Sequence, residues 1–280
     1  LGHGYSASAV AARLIPQGWT VIGTCRDADR ANAMRAAGVQ PLAWPGDLGP
    51  ALASASHILI SAAPDAAGDP FLRAAGDALN AANPAWVGYF STTAGDGDHE
   101  GAWVDEDTPV SPQSDRARHR VLAEQQWLAT PLPVHIFRLA GIYGPGRGPF
   151  VKVREGSARR VIKPGQVFSR IHVDDIAETV LASIARPNPG RIYNVCDNDP
   201  APPEDVLSHA AALLGLPEPP AIPYDQADMT PMARSFYGES KRVSNARILT
   251  ELQVKLHHPT YREGLASLLA AETLNPDTPK

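Results

Sequence analysis

Residues 1–14, LGHGYSASAVAARL, open the chain with two glycines in front of an alanine-rich helical pattern. Gly2, Gly4 and Ala7 fit the spacing G-x-G-x-x-A, in which a tight turn brings the backbone close to a pyrophosphate at a helix N-terminus. Alone the pattern is weak, because a glycine pair before a helix is also ordinary turn chemistry. It predicts a dinucleotide-binding fold only if strands and helices follow in the right order.

That order is present in the N-terminal half, where short apolar runs alternate with helical patterns. The runs are nearly continuous in Val, Ile, Leu and Phe, as is typical of parallel strands covered on both faces. The alternating segments are WTVIGT (19–24), DADRANAMRAAG (27–38), HILISAA (57–63), DPFLRAAGDALNAA (69–82), WVGYFS (86–91), SDRARHRVLAEQQW (114–127) and VHIFRLA (134–140).

The pattern loosens after about residue 145, and two further strands and several helices follow. RIHVDDIAETVLASIA (170–185) predicts a strand end and a helix, RIYNVCD (191–197) a strand, and KRVSNARILTEL (241–252) and TYREGLASLLAAE (260–272) helices. The predicted fold class is α/β, a Rossmann-type doubly wound parallel sheet with a smaller C-terminal α/β substrate lobe.

This fold class implies a division of the chain. We expect residues 1–147 with about 168–187 to form the dinucleotide-binding domain, and about 148–167 with 188–280 to form the C-terminal lobe. A strand normally precedes the glycine turn. We therefore also expect an apolar segment before Leu1 in the natural chain.

Composition excludes several classes of protein. The 280 residues are 44% hydrophobic and 20% charged with a net charge of -5, which predicts a globular protein without affinity for nucleic acid or an anionic membrane. The N-terminus lacks the basic segment followed by an apolar segment that is typical of a signal peptide, and no apolar stretch is long enough to span a membrane. The two cysteines and nine histidines show no metal-ligand spacing. We expect a cytoplasmic protein without a metal site.

The end of the second strand indicates which dinucleotide binds. A cofactor with a free ribose 2′-hydroxyl normally meets an acid there, whereas this chain has Cys25 followed by Arg26. A guanidinium suits a 2′-phosphate, so NADP is expected. Asp27 keeps NAD possible, and the alternative is an ordinary surface arginine in a loop.

Further motifs carry a family resemblance over nearly the whole chain. The sequence resembles the extended short-chain dehydrogenase/reductases, more narrowly their NAD(P)-dependent epimerase/dehydratase branch and an atypical subgroup of it. The matching motifs are GHGYSA (2–7), GDL (46–48), ISAAP (60–64), STTAGDGD (91–98), GDHEGAWVDEDTP (97–109), FRLAGIYGPGR (137–147), RIHVDDIA (170–177) and KRVSN (241–245).

The resemblance implies where the cofactor binds. Arg26 would lie by the adenosine ribose, Asp47 and Leu48 by the adenine. The segment flanking the nicotinamide ribose would be Ala62, Ala63 and Pro64, and the loop around the pyrophosphate would be Gly2, His3, Gly4, Tyr5, Ser6 and Ala7.

Thr92 takes the position of the catalytic Ser/Thr of the family, a hydroxyl that hydrogen-bonds the substrate oxygen. Ligands of open α/β sheets bind at the carboxyl ends of strands, where Thr92 is predicted to lie. The alternative is a hydroxyl that satisfies backbone groups at the strand end. The family usually has Val-Tyr-Gly soon after this hydroxyl, whereas this chain has Gly95, Asp96 and Gly97.

The helix at residues 114–127 departs from the family pattern of Tyr-x-x-x-Lys followed four residues later by an acid. Counting back from Glu124 places Arg120 at the lysine and Arg116 at the tyrosine. Arg120 can reach a ribose or an anionic substrate. Arg116 cannot act as a general acid, because a guanidinium does not deprotonate in proteins. With Thr92, these arginines are the candidate catalytic residues, and a charged surface face is the alternative for them.

A second pattern, Tyr237 with Lys241, would satisfy a search for Tyr-x-x-x-Lys. It lies more than a hundred residues after Thr92, so we interpret it as coincidence, with Tyr237 packed and Lys241 solvated at a helix start.

Other polar residues offer weaker candidates. A proton donor could come from the loop residues Asp96, His99, Asp105 and Glu106, for which a solvated acidic connection is the favoured interpretation. His172 is interpreted as architecture beside a helix N-terminus. Cations near the domain junction that can meet an anionic substrate are Arg138, Arg147, Lys163 and Arg170.

Together these features predict an NADP(H)-binding protein, an oxidoreductase or epimerase-like enzyme that acts on a small polar or anionic molecule. A homodimer is a further expectation. The alternative is a non-catalytic NAD(P)-binding sensor or scaffold. Sugar-nucleotide processing is suggested by family analogy alone.

Overall fold

The computed structural model describes residues 1–274 and confirms a mixed α/β fold built on a parallel sheet. The helices are α1 (Tyr5–Leu14), α2 (Ala28–Ala36), α3 (Gly49–Ser54), α4 (Pro70–Ala82), α5 (Asp115–Leu128), α6 (Phe150–Arg154), α7 (Val173–Ala185), α8 (Pro203–Leu213), α9 (Pro231–Phe236), α10 (Ala246–Thr250) and α11 (Tyr261–Leu274). The strands are β1 (Ile22–Cys25), β2 (Gln40–Ala43), β3 (His57–Ile60), β4 (Trp86–Thr92), β5 (Trp103–Val104), β6 (Val134–Leu139), β7 (Gly141–Tyr143), β8 (Arg160–Ile162), β9 (Arg170–His172), β10 (Ile192–Val195), β11 (Ala221–Pro223) and β12 (Arg242–Val243).

A four-stranded sheet in the order β10-β6-β4-β3 forms the centre of the molecule, and each neighbouring pair is parallel. β4 and β6 are buried over almost their whole length, which explains their unbroken apolar sequences. Successive side chains point to opposite faces of the sheet. Trp86 packs in the cluster that contains Ile176 of α7, whereas Val87 packs in the cluster that contains Trp127 of α5.

β1 and β2 form a separate parallel pair, which the alternation of segments did not predict. Between β1 and β3 lies a cavity of about 450 Å³ with largely apolar walls, among them Leu14, Ile22 and Trp86. The backbone of Leu1 and His3 connects the two sheets at one end of this cavity, since Ser61 N donates to Leu1 O and His3 N to Thr24 O. The expected apolar segment before Leu1 stays a prediction.

The C-terminal part contains its own apolar cluster, in which Phe150 of α6 packs with Val206 of α8 and Leu265 of α11. Three further parallel pairs, β7 with β9, β8 with β11 and β5 with β12, lie outside the central sheet. β10 pairs with β6 although the predicted division assigns residues from 188 onward to the C-terminal lobe. We keep the division into two domains as a proposal, with β10 counted in the central sheet. Residues 275–280 of the predicted C-terminal lobe lie outside the described part of the chain.

Residues 241–252 do not form the single predicted helix. Arg242 N donates to Ala102 O and Ser244 N to Val104 O, so the segment begins as β12 and only then turns into α10. Pairing with a distant strand overrides the local helical pattern here. Within residues 1–274, no helix has both the length and the apolar character that a membrane crossing requires.

Candidate functional site

The glycine loop lies between the end of β1 and the segment after β3. Gly2 has φ +80°, and a Cβ atom at this position would lie 2.8 Å from Ala62 N. Gly2 N donates to Thr24 Oγ1 at 2.7 Å, which fixes the loop on β1. Gly4 is the extended N-cap of α1, and no side chain caps this helix end. The first turn of α1 therefore presents its backbone N–H groups, as anion-binding helix ends do.

The other predicted cofactor positions follow consecutive strands. Arg26 comes directly after β1 and is exposed, and Leu48, which lies beyond β2, is buried. Asp47 is exposed and its Oδ1 accepts a hydrogen bond from Gly49 N at 2.9 Å. Ala62 follows β3 and touches the glycine loop through Gly2. Arg26 and Ala62 thus stand directly after the carboxyl ends of β1 and β3, and Asp47 a few residues after that of β2, where open α/β sheets bind their ligands.

Thr92 is the last residue of β4 and is half-buried. Its Oγ1 accepts a hydrogen bond from Ala94 N at 3.3 Å. The hydroxyl thus caps the turn that follows the strand, as the alternative interpretation expected. Its own hydrogen is not used in that bond, so Thr92 can still donate to a ligand oxygen.

Arg120 binds the backbone of two strand ends. Its Nη1 donates to Phe90 O at 2.8 Å, to Ala62 O at 3.1 Å and to Tyr89 Oη at 3.2 Å. Burial raises the pKa of Tyr89 to about 12, so its phenol stays protonated beside the guanidinium. Arg120 therefore holds the segment at Ala62 against β4. These bonds fix the positive charge of Arg120 at the position where the family has its lysine.

Arg116 points to a different neighbour. It is exposed, and its guanidinium carbon lies 5.8 Å from the ring centroid of Phe236 at the end of α9. α9 belongs to the C-terminal part, so this contact joins the helix of the candidate site to the segment that faces it. The exposed guanidinium of Arg116 therefore lies beside the end of α9.

Glu124 does not share a solvated face with the two arginines. It is 4% exposed, and its Oε2 binds Arg138 Nη2 at 2.9 Å. Arg138 Nη1 also lies 3.3 Å from Asp96 Oδ1, and Ser91 Oγ donates to Glu124. The expectation that Arg138 can meet an anionic substrate is wrong, because both its guanidinium and its partners are buried.

Asp96 is fully buried, so its interpretation as part of a solvated connection is wrong. Burial raises its pKa to about 6, although the charges of Arg138 and Lys241 act in the opposite direction. Its Oδ2 has no donor within the described part of the chain. Asp96 is therefore a buried carboxyl that supports the turn after Thr92 from within the protein.

This carboxyl predicts a measurable pH dependence. Folding raises the pKa of Asp96 from 3.8 to about 6, so the folded state binds the proton more tightly than the unfolded chain. The contribution of Asp96 to the free energy of unfolding therefore falls as the pH rises from about 4 to about 6. We expect Asp96→Asn to gain about 2–3 kcal/mol relative to the unmodified protein between these pH values, measured by urea unfolding. A difference that does not change with pH would contradict this assignment.

Two other acids of the same loop separate into different environments. Glu106 is buried, and its Oε1 accepts from Asn194 N at 2.7 Å, while burial raises its pKa. Asp105 stays exposed, and the hydroxyl of Thr108 helps to lower its pKa. The solvated interpretation therefore fits Asp105 and is wrong for Glu106.

His99, Arg170 and Lys163 form hydrogen bonds with backbone carbonyls of the protein, whereas Arg147 does not share this environment. His99 Nε2 lies 3.0 Å from Asp96 O. Arg170 Nη1 donates to Phe168 O at 2.9 Å, and Lys163 Nζ donates to Tyr237 O. Arg147 remains exposed, with its guanidinium 4.3 Å from the ring centroid of Tyr5. Arg147 is the cation of this group that stays most accessible beside the glycine loop.

Lys241 is buried, so the expectation of a solvated lysine is wrong. Its Nζ donates to Gly97 O at 2.6 Å and pairs with Glu239 at 2.7 Å. Tyr237 ends α9 instead of beginning a helix, and its ring packs on Tyr224 with centroids 5.4 Å apart. The chain from Glu239 onward thus contacts the turn after Thr92. Sequence spacing did not reveal this because the contact joins segments 144 positions apart.

His172 lies beside the N-terminus of α7, and its own ring caps this helix, since its Nδ1 accepts from Asp174 N at 3.2 Å. It also lies near Asp175 and His258, with candidate metal-ligand atoms all within 4.8 Å of one another. The Asp175 carboxylate already accepts backbone bonds from His257 N and His258 N. The ring centroids of His172 and His258 lie 3.8 Å apart, so the two imidazoles pack on each other beside the Asp175 carboxylate.

Comparison with known proteins places the chain among several relatives. No family model matches the sequence. Protein YeeZ from Escherichia coli K12 is 29% identical over 92% of this chain and 95% of its own. A 3-diazoavenalumate denitrifying reductase from a Streptomyces species is 29% identical over 58% of each chain.

Solved structures give closer matches. A conserved protein of unknown function from Silicibacter pomeroyi is 60% identical, with a TM-score of 0.93 over 96% of both chains. A protein from Methylobacillus flagellatus, assigned to the NAD-dependent epimerases/dehydratases, is 30% identical over 97% of both chains with a TM-score of 0.73. MoeE5 in complex with UDP-glucose and NAD, 19% identical with a TM-score of 0.75 over 97% of both chains, shares the fold.

Proposed function

The chain belongs to the NAD-dependent epimerase/dehydratase family, and from that premise we propose that it binds NADP(H) as an enzyme of the extended, atypical short-chain type. The proposed activity is that of an oxidoreductase or epimerase-like enzyme in the cytoplasm, on a small polar or anionic molecule. A homodimer stays a prediction.

The observation that carries this proposal is the contact between Gly2 and Ala62. A Cβ at Gly2 would lie 2.8 Å from a backbone nitrogen, so the loop can approach the segment after β3 only with glycine there. At Gly4 the nearest atom to an added Cβ is Ser61 Oγ at 4.0 Å, so a side chain would instead enter the space in front of α1. This open space before free N–H groups fits a pyrophosphate.

The bound cofactor would supply hydride exchange at its nicotinamide ring. We assign the segment Ala62–Pro64 to the nicotinamide ribose, where Arg120 fixes the carbonyl of Ala62. The hydroxyl of Thr92, at the end of the neighbouring strand, would donate a hydrogen bond to the substrate oxygen. A fixed donor of this kind stabilises charge that develops on the oxygen during the reaction.

Neither arginine would move a proton in the reaction. A guanidinium keeps its proton near neutral pH, so Arg116 cannot replace the tyrosine of the family as an acid. Its exposed position opposite Phe236 suits a carboxylate or phosphate of the substrate. This supports an anionic substrate for the proposed enzyme.

Transfer of label tests the proposed activity. The protein is incubated with NADPH deuterated at the nicotinamide and a metabolite extract, and products are analysed by mass spectrometry. We expect deuterium in a metabolite, and a loss of about 100-fold in the transfer rate for Thr92→Val. Thr93→Val, one residue further along the turn, is the matched control and should retain transfer. Equal rates for both variants would contradict the role of Thr92.

A non-catalytic dinucleotide sensor or scaffold is the second candidate, favoured by arginine at both positions 116 and 120. Under that hypothesis Arg120 serves only to hold the strand ends through its three contacts. Binding of NADPH without label transfer across broad substrate sets would support the sensor. Any labelled metabolite would exclude it.

A further inference from the structure

The short helix α9 exposes two large apolar side chains on one of its faces. Met232 is 64% exposed and Phe236 is 49% exposed. They lie four positions apart in the helix, so both belong to the same face. Single exposed apolar residues are ordinary on a protein surface, whereas neighbouring ones form a patch to which an apolar ligand can bind.

Other residues in and around α9 attach it to the rest of the C-terminal part. Arg234 Nη2 donates to Ala227 O at 2.9 Å. At the end of the helix, Lys163 Nζ donates to Tyr237 O, and the ring of Tyr237 packs on Phe168 with centroids 5.5 Å apart. The apolar face therefore belongs to a helix that is already held in place, and a ligand that binds there has little chain to order.

Arg116 brings a positive charge to this face. Its guanidinium carbon lies 5.8 Å from the ring centroid of Phe236. On α5 it stands one turn before Arg120, whose Nη1 donates to Phe90 O near the end of β4. Residues four positions apart share a helix face, so Arg116 lies on the face of α5 that contacts this strand, and Thr92 is the last residue of the strand.

No acid neutralises the charge of Arg116 within residues 1–274. The adjacent Asp115 pairs with Arg118 at 2.6 Å, and α9 itself contains no acidic residue. Arg116 is exposed, and a guanidinium carries N–H groups in a planar fork that matches a carboxylate through two parallel hydrogen bonds. An apolar surface and an uncompensated cation therefore lie side by side next to the end of β4.

We propose that Arg116, Phe236 and Met232 form a substrate subsite for an aromatic carboxylate, with the carboxylate on Arg116 and the ring on the face of α9. The proposal rests on the proposed function, because it names the substrate class of the same site. An aromatic ring packs on Phe236 edge to face or with an offset, and the flexible thioether of Met232 adapts to its outline. A sugar in this place would lose water from its hydroxyl groups and gain no hydrogen bond from either side chain.

Calorimetry on the full chain saturated with NADP⁺ tests the subsite. The probes are cinnamate and hydrocinnamate, with cinnamyl alcohol as the ligand that lacks the charge, crotonate as the one that lacks the ring, and UDP-glucose as a sugar nucleotide. We expect cinnamate to bind at least about 10-fold more tightly than cinnamyl alcohol or crotonate, because each of these lacks one of the two contacts.

Variants of exposed residues assign the two contacts. Arg116→Gln should lower the affinity for cinnamate about 10-fold and leave that for cinnamyl alcohol unchanged. Phe236→Ser should weaken both aromatic probes and leave crotonate unchanged. The matched controls are Arg118→Gln, on the same helix and paired with Asp115, and Leu216→Ser, an exposed apolar residue after α8. Both controls should bind cinnamate as the unmodified protein does.

The outcomes separate the subsite from the proposed function. Unchanged affinity for cinnamate in Arg116→Gln would overturn the proposal, and tighter binding of UDP-glucose than of cinnamate would assign the site to sugar nucleotides instead. If neither aromatic acid bound to the dinucleotide-loaded protein, the proposal would fail while dinucleotide binding stood. If the folded protein bound neither NADP(H) nor NAD(H), the proposed function itself would fail.

Discussion

Replacing Arg138 with methionine is expected to lower the free energy of unfolding by about 3–5 kcal/mol. Arg138 is 4% exposed and balances two buried carboxylates, Glu124 at 2.9 Å and Asp96 at 3.3 Å. Methionine fills a similar volume but leaves both acids without a cation. Removing one partner of a buried ion pair costs more than the pair itself contributes, because the remaining charge is desolvated and uncompensated.

Urea unfolding followed by circular dichroism measures this effect. Arg118→Met is the matched control, since Arg118 pairs with exposed Asp115 on the same helix as Glu124, and the loss should be below about 1 kcal/mol. A variant that combines Arg138→Met with Glu124→Gln and Asp96→Asn should recover part of the stability, because no buried charge is then left unpaired. A loss below 1 kcal/mol for Arg138→Met alone would show that the network is hydrated in solution.

Replacing Gly2 with valine is expected to weaken NADPH binding by at least about 100-fold. The position has φ +80°, where an L-residue costs about 1–2 kcal/mol, and the new Cβ would lie 2.8 Å from Ala62 N. The neighbour is backbone and cannot rotate away, so the loop must move. That displacement separates the N-terminus of α1 from the segment assigned to the nicotinamide ribose.

Gly18→Val is the control that distinguishes the clash with Ala62 from the backbone strain of a positive φ. Gly18 has φ +86°, but nothing lies within 4 Å of an added Cβ. Both variants should lose comparable stability from backbone strain, and only Gly2→Val should lose binding, as measured by NADPH fluorescence titration. If the two variants bound the dinucleotide with equal affinity, the glycine loop would not be part of the cofactor site.

Much of the fold could be predicted because its signals are local. The alternation of apolar runs and helical patterns identified β3, β4 and β6, and the apolar run RIYNVCD identified β10; all four strands lie in the central sheet. The glycine at position 2 was identified for a local reason too, since its turn needs a positive φ. β2 was not identified, as QPLA lacks a sustained apolar run, and α8 was not, although Pro203 and two acids mark its first turn.

The surroundings of the candidate site could not be predicted because they depend on contacts between distant segments. Asp96 and Glu124 have the composition of solvated acids, and only the approach of Arg138 from β6 explains their burial. Lys241 likewise reaches Gly97 through the pairing of β12 with β5. The contact of Arg30 with the carbonyl of His3 likewise depends on how the glycine loop folds against α2.

Binding of a nicotinamide dinucleotide by the glycine loop is tested most directly by titrating the folded protein with NADPH and NADH in a calorimeter. We expect one dinucleotide to bind per chain, with NADPH bound more tightly than NADH, and we expect binding to be lost in Gly2→Val but retained in Gly18→Val. Absence of binding of either dinucleotide to the folded protein at millimolar concentration would contradict it.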